Sequence, residues 1–299
     1  MRKSQTIGRT VCVALLAGVI GTATALAGQK GTPNPHANPN AQGNGNAGGQ
    51  SDSNSGNDTC TGLPDQSALE VALDAATLAE ASGLNNQMWA TIVDRDGVVC
   101  AVAFSGADRG AQWPGSRVIS AQKANTANAF SLDSTSSPDN GSGQAHGLAL
   151  STANLYSAVQ DGGSLFGLQF SNPVDPAVAY KGPSIHYGTA NDPMVGRKIG
   201  GVNVFGGGLA LYATGKTLIG GLGVSGDTSC SDHYIAWRVR HLLVLDHLSG
   251  VGGVSGDPAH PDNIIFDITA GVSAGGFGHP HCTVGAGDTP TTPLPVVIP

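Results

Sequence analysis

Residues Met88–Phe104 read MWATIVDRDGVVCAVAF, two β-rich runs on either side of a short polar turn. Val, Ile, Thr and aromatic side chains favour strands, and they are frequent in Met88–Val93 and Val98–Phe104. Between these runs, Asp94-Arg95-Asp96-Gly97 is typical of a type I turn closed by glycine. The stretch therefore predicts a β-hairpin. Two-residue alternation predicts that one sheet face carries Val98, Cys100, Val102 and Phe104.

A second block, Gly200–Leu248, has the same order of strands followed by a helix. The predicted strands are Val202–Phe205, Leu209–Tyr212 and Thr217–Ser225, and the predicted helix is Ser231–Leu248. Apolar residues at helical spacing predict two further helices, Pro64–Ser82 and one from Ser116 to Phe130.

Two other stretches are less regular: Leu148–Val159 is expected to hold one helix, and Ile264–Thr269 one more strand. Taken together, the elements predict an α/β (α+β) fold. It would be a single domain with an antiparallel sheet of about five strands and helices packed on it.

The first 27 residues have the pattern of a secretory signal peptide. Arg2, Lys3 and Arg9 precede the apolar run Val11–Leu26, and Ala25-Leu26-Ala27 is a small-x-small cleavage pattern. All 21 Asp and Glu residues lie outside this leader, whereas three of the 14 Lys and Arg residues lie within it. The mature chain is therefore expected to be acidic and secreted or periplasmic. Nucleic acid and anionic membrane surfaces are not expected as partners after cleavage.

The segment 28–59 is rich in Gly, Asn, Pro and Ser, which predicts a disordered spacer. The folded domain is expected over 60–250, followed by a Gly/Pro-rich extension over 251–299. Cys60, Cys100, Cys230 and Cys282 remain after the leader, so two disulfides are expected with three possible connectivities. We favour Cys60–Cys100 with Cys230–Cys282, because each bond would fix a chain end to the core. Cys100–Cys282 with Cys60–Cys230 remains an alternative.

Three motifs resemble the haem-degrading-domain family, also called GlcG/HbpS-like. IVDRDG lies in the hairpin, PGSRVISAQKANTANAF starts at Pro114, and GKTLIGGLGVSGDTSCSD starts at Gly215. They are similar to the family patterns "VVDRGG", "PGS…KA.TA..F" and "G.VIGAIGVSGGT..QDE". The resemblance covers about Leu63–Leu248, with an apparent insertion at about 131–200. It implies binding of haem, another tetrapyrrole or iron, possible slow haem degradation, and assembly into homo-oligomers.

Lys123 matches the helix lysine of the family, although Gln122 stands where members often have arginine. Ser225, Thr228 and Asp232 surround the start of the last helix and are candidates for a ligand pocket together with Lys123 and His233. Each also has a structural interpretation: a surface lysine whose stem covers apolar area, or an acidic residue in a first helical turn. A serine-nucleophile interpretation of Ser225 is disfavoured, because G-x-S-G is not the G-x-S-x-G elbow. The catalytic residues, if any, stay unassigned.

Histidines are the candidate haem or metal ligands. His233, Trp237 and His241 fall at i, i+4 and i+8 on one helical stripe, which could face a haem edge or a partner, or be an ordinary half-exposed face. We favour the half-exposed face. His279 and His281 form a His-x-His pair suited to a transition metal. If Cys282 pairs with Cys230, these histidines would converge near His233 and Asp232.

The sequence therefore favours an exported protein that binds a small molecule, with haem as the leading ligand. An enzyme acting on a small 2-hydroxy acid or a related metabolite is the first alternative. An oligomeric surface module without a ligand is the second. Whether the protein is an enzyme stays open, and a binding protein is favoured.

Overall fold

The computed structural model describes residues 60–133, 147–282 and 286–299. The predicted signal peptide and the predicted spacer lie outside these residues. Within the described ranges, no helix is both long enough and apolar enough to cross a membrane.

A four-stranded antiparallel sheet forms the centre of the fold. Its strands are β1 (Trp89–Asp94), β2 (Val99–Phe104), β3 (Gly208–Ala213) and β4 (Thr217–Ser225), in the spatial order β2-β1-β4-β3. A separate pair, β5 (Ile268–Thr269) and β6 (Val272–Ser273), lies in the Gly/Pro-rich extension over 251–299, which is called the C-terminal segment below. The predicted fold class and the hairpin are confirmed.

Val202–Phe205 is not a strand, contrary to the prediction. Its backbone hydrogen bonds go to side chains instead of to a neighbouring strand. The Asn203 N–H donates to the Thr126 hydroxyl at 3.0 Å, and the Phe205 N–H donates to the Asn203 side-chain oxygen at 3.1 Å. The main sheet therefore has four strands, and of the predicted strand Ile264–Thr269 only the last two residues pair, as β5.

A β-bulge at Cys100 changes the predicted alternation in β2. Ile92 lies opposite Ala101 and Val93 opposite Val99, which leaves Cys100 as the extra residue. Val99, Val102 and Phe104 consequently pack in one apolar cluster, whereas Cys100 packs with Ala101 and Ala103 in the other. The prediction that Cys100 shares a face with Val102 and Phe104 is therefore wrong.

Helices cover both faces of the sheet. Along the chain they are α1 (Gln66–Leu78), α2 (Ser116–Ala129), the single turns α3 (Leu168–Ser171) and α4 (Pro176–Ala179), and α5 (Ser229–Leu242). Apolar residues of α1 and α5 share one core cluster with one sheet face, and those of α2 pack on the other face. The expected helix in 148–159 is two 3₁₀ turns, Thr152–Leu155 and Ser157–Val159.

Two glycines of β4 allow α2 to lie directly on the sheet. A Cβ atom on Gly223 would come within 1.9 Å of the Ser120 carbonyl oxygen, and one on Gly221 within 2.3 Å of the Ala124 carbonyl oxygen. Only glycine fits at such a backbone contact. The GGLG stretch of β4 therefore fixes the position of α2, and with it Lys123, against the sheet.

The helix α5 ends earlier than predicted and is buried nearly all around. It ends at Leu242 because Val244 adopts a positive φ of 55°, after which Asp246 bridges to Tyr212 of β3. The C-terminal segment packs along α5. Arg240 forms a fully buried ion pair with Asp262, with 2.6 Å between Nη1 and Oδ2.

Both favoured disulfides are present. Cys60 pairs with Cys100, which fixes the start of the described chain to β2, and Cys230 pairs with Cys282, which fixes the C-terminal segment to the first turn of α5. The second bond places the residues around Cys282 beside the N-terminal end of α5, where the sequence predicts a ligand pocket.

Candidate functional site

A cavity of about 290 Å³ lies between the N-terminal ends of α2 and α5. Its described lining comprises Trp113, Ser116, Ile119, Lys123, Phe205, Ser225, Asp227, Ser229 and Asp232. Ser116 and Ser229 are the first residues of the two helices. Since free N–H groups and the helix dipole make a helix N-terminus electropositive, the cavity lies where two such ends favour an anion.

A buried ion pair forms the polar part of the lining. Lys123 Nζ lies 2.6 Å from Asp232 Oδ2 and donates a second hydrogen bond, 3.0 Å long, to the Val224 carbonyl oxygen. The other carboxylate oxygen, Asp232 Oδ1, accepts the N–H groups of Gly226 and Asp227. The interpretation of Lys123 as a surface lysine is wrong, because its side chain is only 1 % exposed.

Burial has opposite electrostatic effects on the two partners. Loss of water raises the pKa of the Asp232 carboxyl to about 6, although Lys123 opposes this shift. The same loss of water lowers the pKa of the Lys123 ammonium. At neutral pH we assign the charged pair on the basis of its short contact, and below about pH 6 the Asp232 carboxylate gains a proton. The cavity lining then becomes more positive.

Asp227, the other acidic residue of the lining, is occupied by backbone donors. Its carboxylate accepts the N–H groups of Leu84 at 2.7 Å, Asn86 at 2.9 Å and Thr228 at 2.5 Å. Three donors disperse its charge, so it opposes an anionic ligand less than a bare carboxylate would. Through these hydrogen bonds, Asp227 links the loop after α1 to the loop before α5.

Aromatic side chains form the mouth of the cavity. Trp113 is 51 % exposed and Phe205 is 48 % exposed, which are high fractions for large apolar groups. Ile119 adds aliphatic surface to the lining. Ser225 contributes a hydroxyl that has no hydrogen-bond partner among the described residues. The lining thus combines apolar walls with a few polar groups, as small-molecule sites do.

Two of the predicted pocket residues lie elsewhere. The Thr228 hydroxyl caps α5 by accepting the N–H of Ser231, so its described contact is structural. His233 is fully buried and does not line the cavity, and its Nε2 accepts the Ile264 N–H at 3.2 Å. Burial lowers the pKa of His233 to about 3, which keeps it neutral. The favoured half-exposed face is wrong for His233 and Trp237, since both are fully buried.

The other predicted histidines do not converge with His233 into one metal site. His241 lies at the far end of α5 and contacts Asp246, with 2.7 Å between Nδ1 and Oδ2. His281 points to Asp288 and stacks on Phe266 with ring centroids 5.1 Å apart. Of these three histidines only His279 lies beside the cavity: its Nε2 is 2.8 Å from the hydroxyl of the lining residue Ser229, although His279 is not a lining residue itself.

The sulfur atoms beside His279 do not complete a metal site in this state. One ligand atom from each of Cys230, His279 and Cys282 lies within 4.8 Å of the others, but both sulfurs are consumed in the disulfide. Metal binding by thiolates requires the free, deprotonated form.

Six of the nine lining residues are not among the predicted site residues: Trp113, Ser116, Ile119, Phe205, Asp227 and Ser229. Trp113 stands directly before the Pro114 motif, and an exposed tryptophan beside a helix start is a usable signal. Phe205 belongs to the predicted strand Val202–Phe205, and that prediction does not indicate a cavity-lining side chain. Their roles depend on how α2, α5 and the 203–207 segment come together, which the local sequence does not contain.

Comparison with known protein families gives a match over more than half of the chain. A family model described as "Haem degrading protein HbpS-like" matches residues 63–240. A search of curated proteins finds no significant match. Among solved structures, the chain is similar to the Klebsiella pneumoniae protein ORFY, at 22 % identity and a TM-score of 0.37 over 60 % of this chain and 88 % of that one.

Two further solved structures are similar at the same level. One is PduOC in complex with haem, at 22 % identity and a TM-score of 0.37 over 59 % of this chain and 89 % of that one. The other is HbpS, at 14 % identity and a TM-score of 0.35 over 60 % of this chain and 86 % of that one. The family model spans more than half of the chain, from α1 to α5, and includes the ion pair of the cavity. The chain therefore belongs to the HbpS-like haem-degrading protein family.

Proposed function

We propose that this protein binds an anionic ring compound of the tetrapyrrole class, with haem as the leading ligand, in the cavity between α2 and α5. The supporting observation is the composition of that cavity. Two helix N-termini favour carboxylate groups, while Trp113 and Phe205 offer exposed aromatic faces to an apolar ring. Membership of the HbpS-like family supports the same ligand class.

The cavity volume determines how such a ligand would fit. At about 290 Å³ it is at the lower end of the range for small-molecule pockets. It can hold one edge of a tetrapyrrole with its carboxylates, and the remaining ring would lie over Trp113 and Phe205. None of the nine described lining residues is His, Cys, Met or Tyr, the side chains that ligate haem iron. We therefore assign recognition to the ring and carboxylates, and not to the metal.

Titration of the purified chain with haem and with iron-free protoporphyrin tests this proposal. We expect saturable changes in the Soret band with both compounds and dissociation constants within about tenfold of each other, because no lining side chain ligates iron. Trp113→Ala and Phe205→Ala should each weaken binding about fivefold, which corresponds to roughly 1 kcal/mol of lost aromatic contact.

Phe170→Ala is the matched control, because Phe170 is 83 % exposed and does not line the cavity. Its affinity should equal that of the unchanged chain. Haem binding without protoporphyrin binding would refute recognition through the ring. Absence of saturable binding to either compound would refute the tetrapyrrole class as a whole.

A small 2-hydroxy acid is the second candidate, and the modest cavity volume favours it. Such a molecule would place its carboxylate at the helix N-termini and its hydroxyl near Ser225. Calorimetric titration with glycolate measures this directly. Glycolate binding that is lost in Ser225→Ala, with no porphyrin binding, would replace the first proposal by the second.

Two further expectations belong to the proposal. We place the binding outside the cytoplasm, on the strength of the predicted signal peptide and two disulfides. Homo-oligomer formation, which the family resemblance implies, stays a prediction that light scattering on the purified chain can measure.

A further inference from the structure

The hydroxyl of Ser229 contacts an imidazole at the cavity. Ser229 is half-buried at the first position of α5 and lines the cavity, and its Oγ lies 2.8 Å from His279 Nε2. His279 itself is 3 % exposed. This is the distance expected between a nucleophile and its general base.

The neighbouring hydrogen bonds fix the proton positions. His279 Nδ1 lies 2.7 Å from the Pro280 carbonyl oxygen, which can only accept, so Nδ1 carries the ring proton and Nε2 presents its lone pair. The Gly206 N–H donates to Ser229 Oγ at 2.6 Å. The Ser229 hydroxyl therefore donates its only proton in the hydrogen bond to His279 Nε2. The imidazole has the tautomer that a general base requires.

The C-terminal segment holds His279 rigidly in this place. The Cys230–Cys282 disulfide joins its neighbour Cys282 to α5, the His279 N–H donates to the Ile265 carbonyl oxygen at 2.7 Å, and the ring packs 5.2 Å from the Tyr156 ring. His279 lies beyond the 63–240 range of the family model. The contact thus joins a serine from the matched range to an imidazole contributed by the extension.

We propose that Ser229 and His279 form a nucleophile and general-base pair that hydrolyses small carboxylic esters in the cavity. Ser229 Oγ bonds to the acyl carbon while its proton moves to His279 Nε2. The ester C–O bond then breaks, and the departing alcohol takes that proton. Water next attacks the acyl group on Ser229, again through His279, and releases the acid and the free serine. This activity goes beyond tetrapyrrole binding and does not depend on it.

The cavity restricts the substrate to a small ester. Its volume of about 290 Å³ and its apolar mouth fit a short acyl chain with an apolar or aromatic alcohol. The electropositive end of α5, where Ser229 lies, favours the negative charge that develops on the substrate oxygen.

Covalent labelling tests the pair without assuming a natural substrate. The full oxidised chain is treated with a fluorophosphonate, and its intact mass and labelled peptide are determined. Hydrolysis of p-nitrophenyl acetate is measured in parallel. We expect one adduct on Ser229, no adduct at that site in Ser229→Ala, and labelling at least about 100-fold slower in His279→Gln.

Control variants separate chemistry from folding. Ser164→Ala and His186→Gln change exposed residues outside the cavity and should label like the unchanged chain. The circular dichroism spectra of Ser229→Ala and His279→Gln should match that of the unchanged chain. A variant that fails this check is replaced by Ser229→Cys. This variant keeps a nucleophile, which is probed with iodoacetamide. An adduct on another residue, no adduct at all, or equal labelling rates with and without the His279 imidazole would overturn the proposal.

Discussion

Replacing Lys123 by methionine would leave the Asp232 carboxylate buried without its cation. Both side chains are at most 4 % exposed and their charged atoms are 2.6 Å apart. Removing one partner of a buried ion pair typically costs about 3–5 kcal/mol, because the other charge stays in a medium of low polarity. We expect a loss of that size in the free energy of unfolding of Lys123→Met at pH 7.5.

The loss in the free energy of unfolding should become smaller as the pH falls, because a protonated Asp232 carries no buried charge. Its folded pKa of about 6 already exceeds the value of 3.8 that is usual for aspartate. Protonation therefore stabilises the folded chain fully below about pH 4, and this stabilisation is lost as the pH rises through the folded pKa. Without Lys123 the folded pKa rises further and the protonated form persists to higher pH. At about 1.4 kcal/mol per pH unit above pH 6, the cost at pH 5 should be about 2 kcal/mol smaller than at pH 7.5.

Urea unfolding of the oxidised chain at pH 5 and pH 7.5 measures both quantities. Lys123→Met/Asp232→Asn should recover much of the loss at pH 7.5, because no buried charge remains. Lys181→Met, at an exposed position, should stay within about 0.5 kcal/mol of the unchanged chain. A loss below about 1 kcal/mol at pH 7.5, or an equal loss at both pH values, would refute the assignment of a buried charged pair.

Three further predictions follow from the same geometry. Gly223→Ala should lower the unfolding temperature far more than Gly115→Ala, because a Cβ on Gly223 would meet the Ser120 carbonyl oxygen at 1.9 Å whereas one on Gly115 meets nothing within 4 Å; equal calorimetric shifts would contradict this. Cys230→Ser/Cys282→Ser should cost about 4 kcal/mol in urea unfolding, since the bond closes a loop with a sequence separation of 52, and a loss below about 1 kcal/mol would argue against it. A water-soluble porphyrin carboxylate should bind more tightly as the pH falls from 7 to 5.5, because Asp232 loses its charge. The affinity should rise by at most about tenfold per pH unit. In a fluorescence titration, Asp232→Asn should abolish this pH dependence.

The hairpin and β4 could be predicted because strand formation there depends on local residue types and a nearby turn. Other features depend on distant partners. Val202–Phe205 has strand-like composition, yet side-chain acceptors take its N–H groups. The bulge at Cys100 depends on the register with β1. Lys123 and Asp232 are 109 residues apart, and neither residue's local sequence indicates that it will be buried against the other.

The burial of helix α5, which forms part of the cavity, also could not be predicted from its own sequence. Its sequence, SCSDHYIAWRVRHL, has the polar content of a half-exposed helix, but most of its residues are buried. Three of its polar side chains have these partners: Arg240 pairs with Asp262, Arg238 with Glu80, and the Trp237 indole N–H donates to the Pro295 carbonyl oxygen. Two of these three partners belong to the C-terminal segment, so composition alone could not indicate the burial. Because that segment also fixes the Cys230 end of α5 through the disulfide, it supports one wall of the cavity as well as the outer face of the helix. The Gly/Pro-rich extension over 251–299 is therefore part of what positions Ser229 and Asp232.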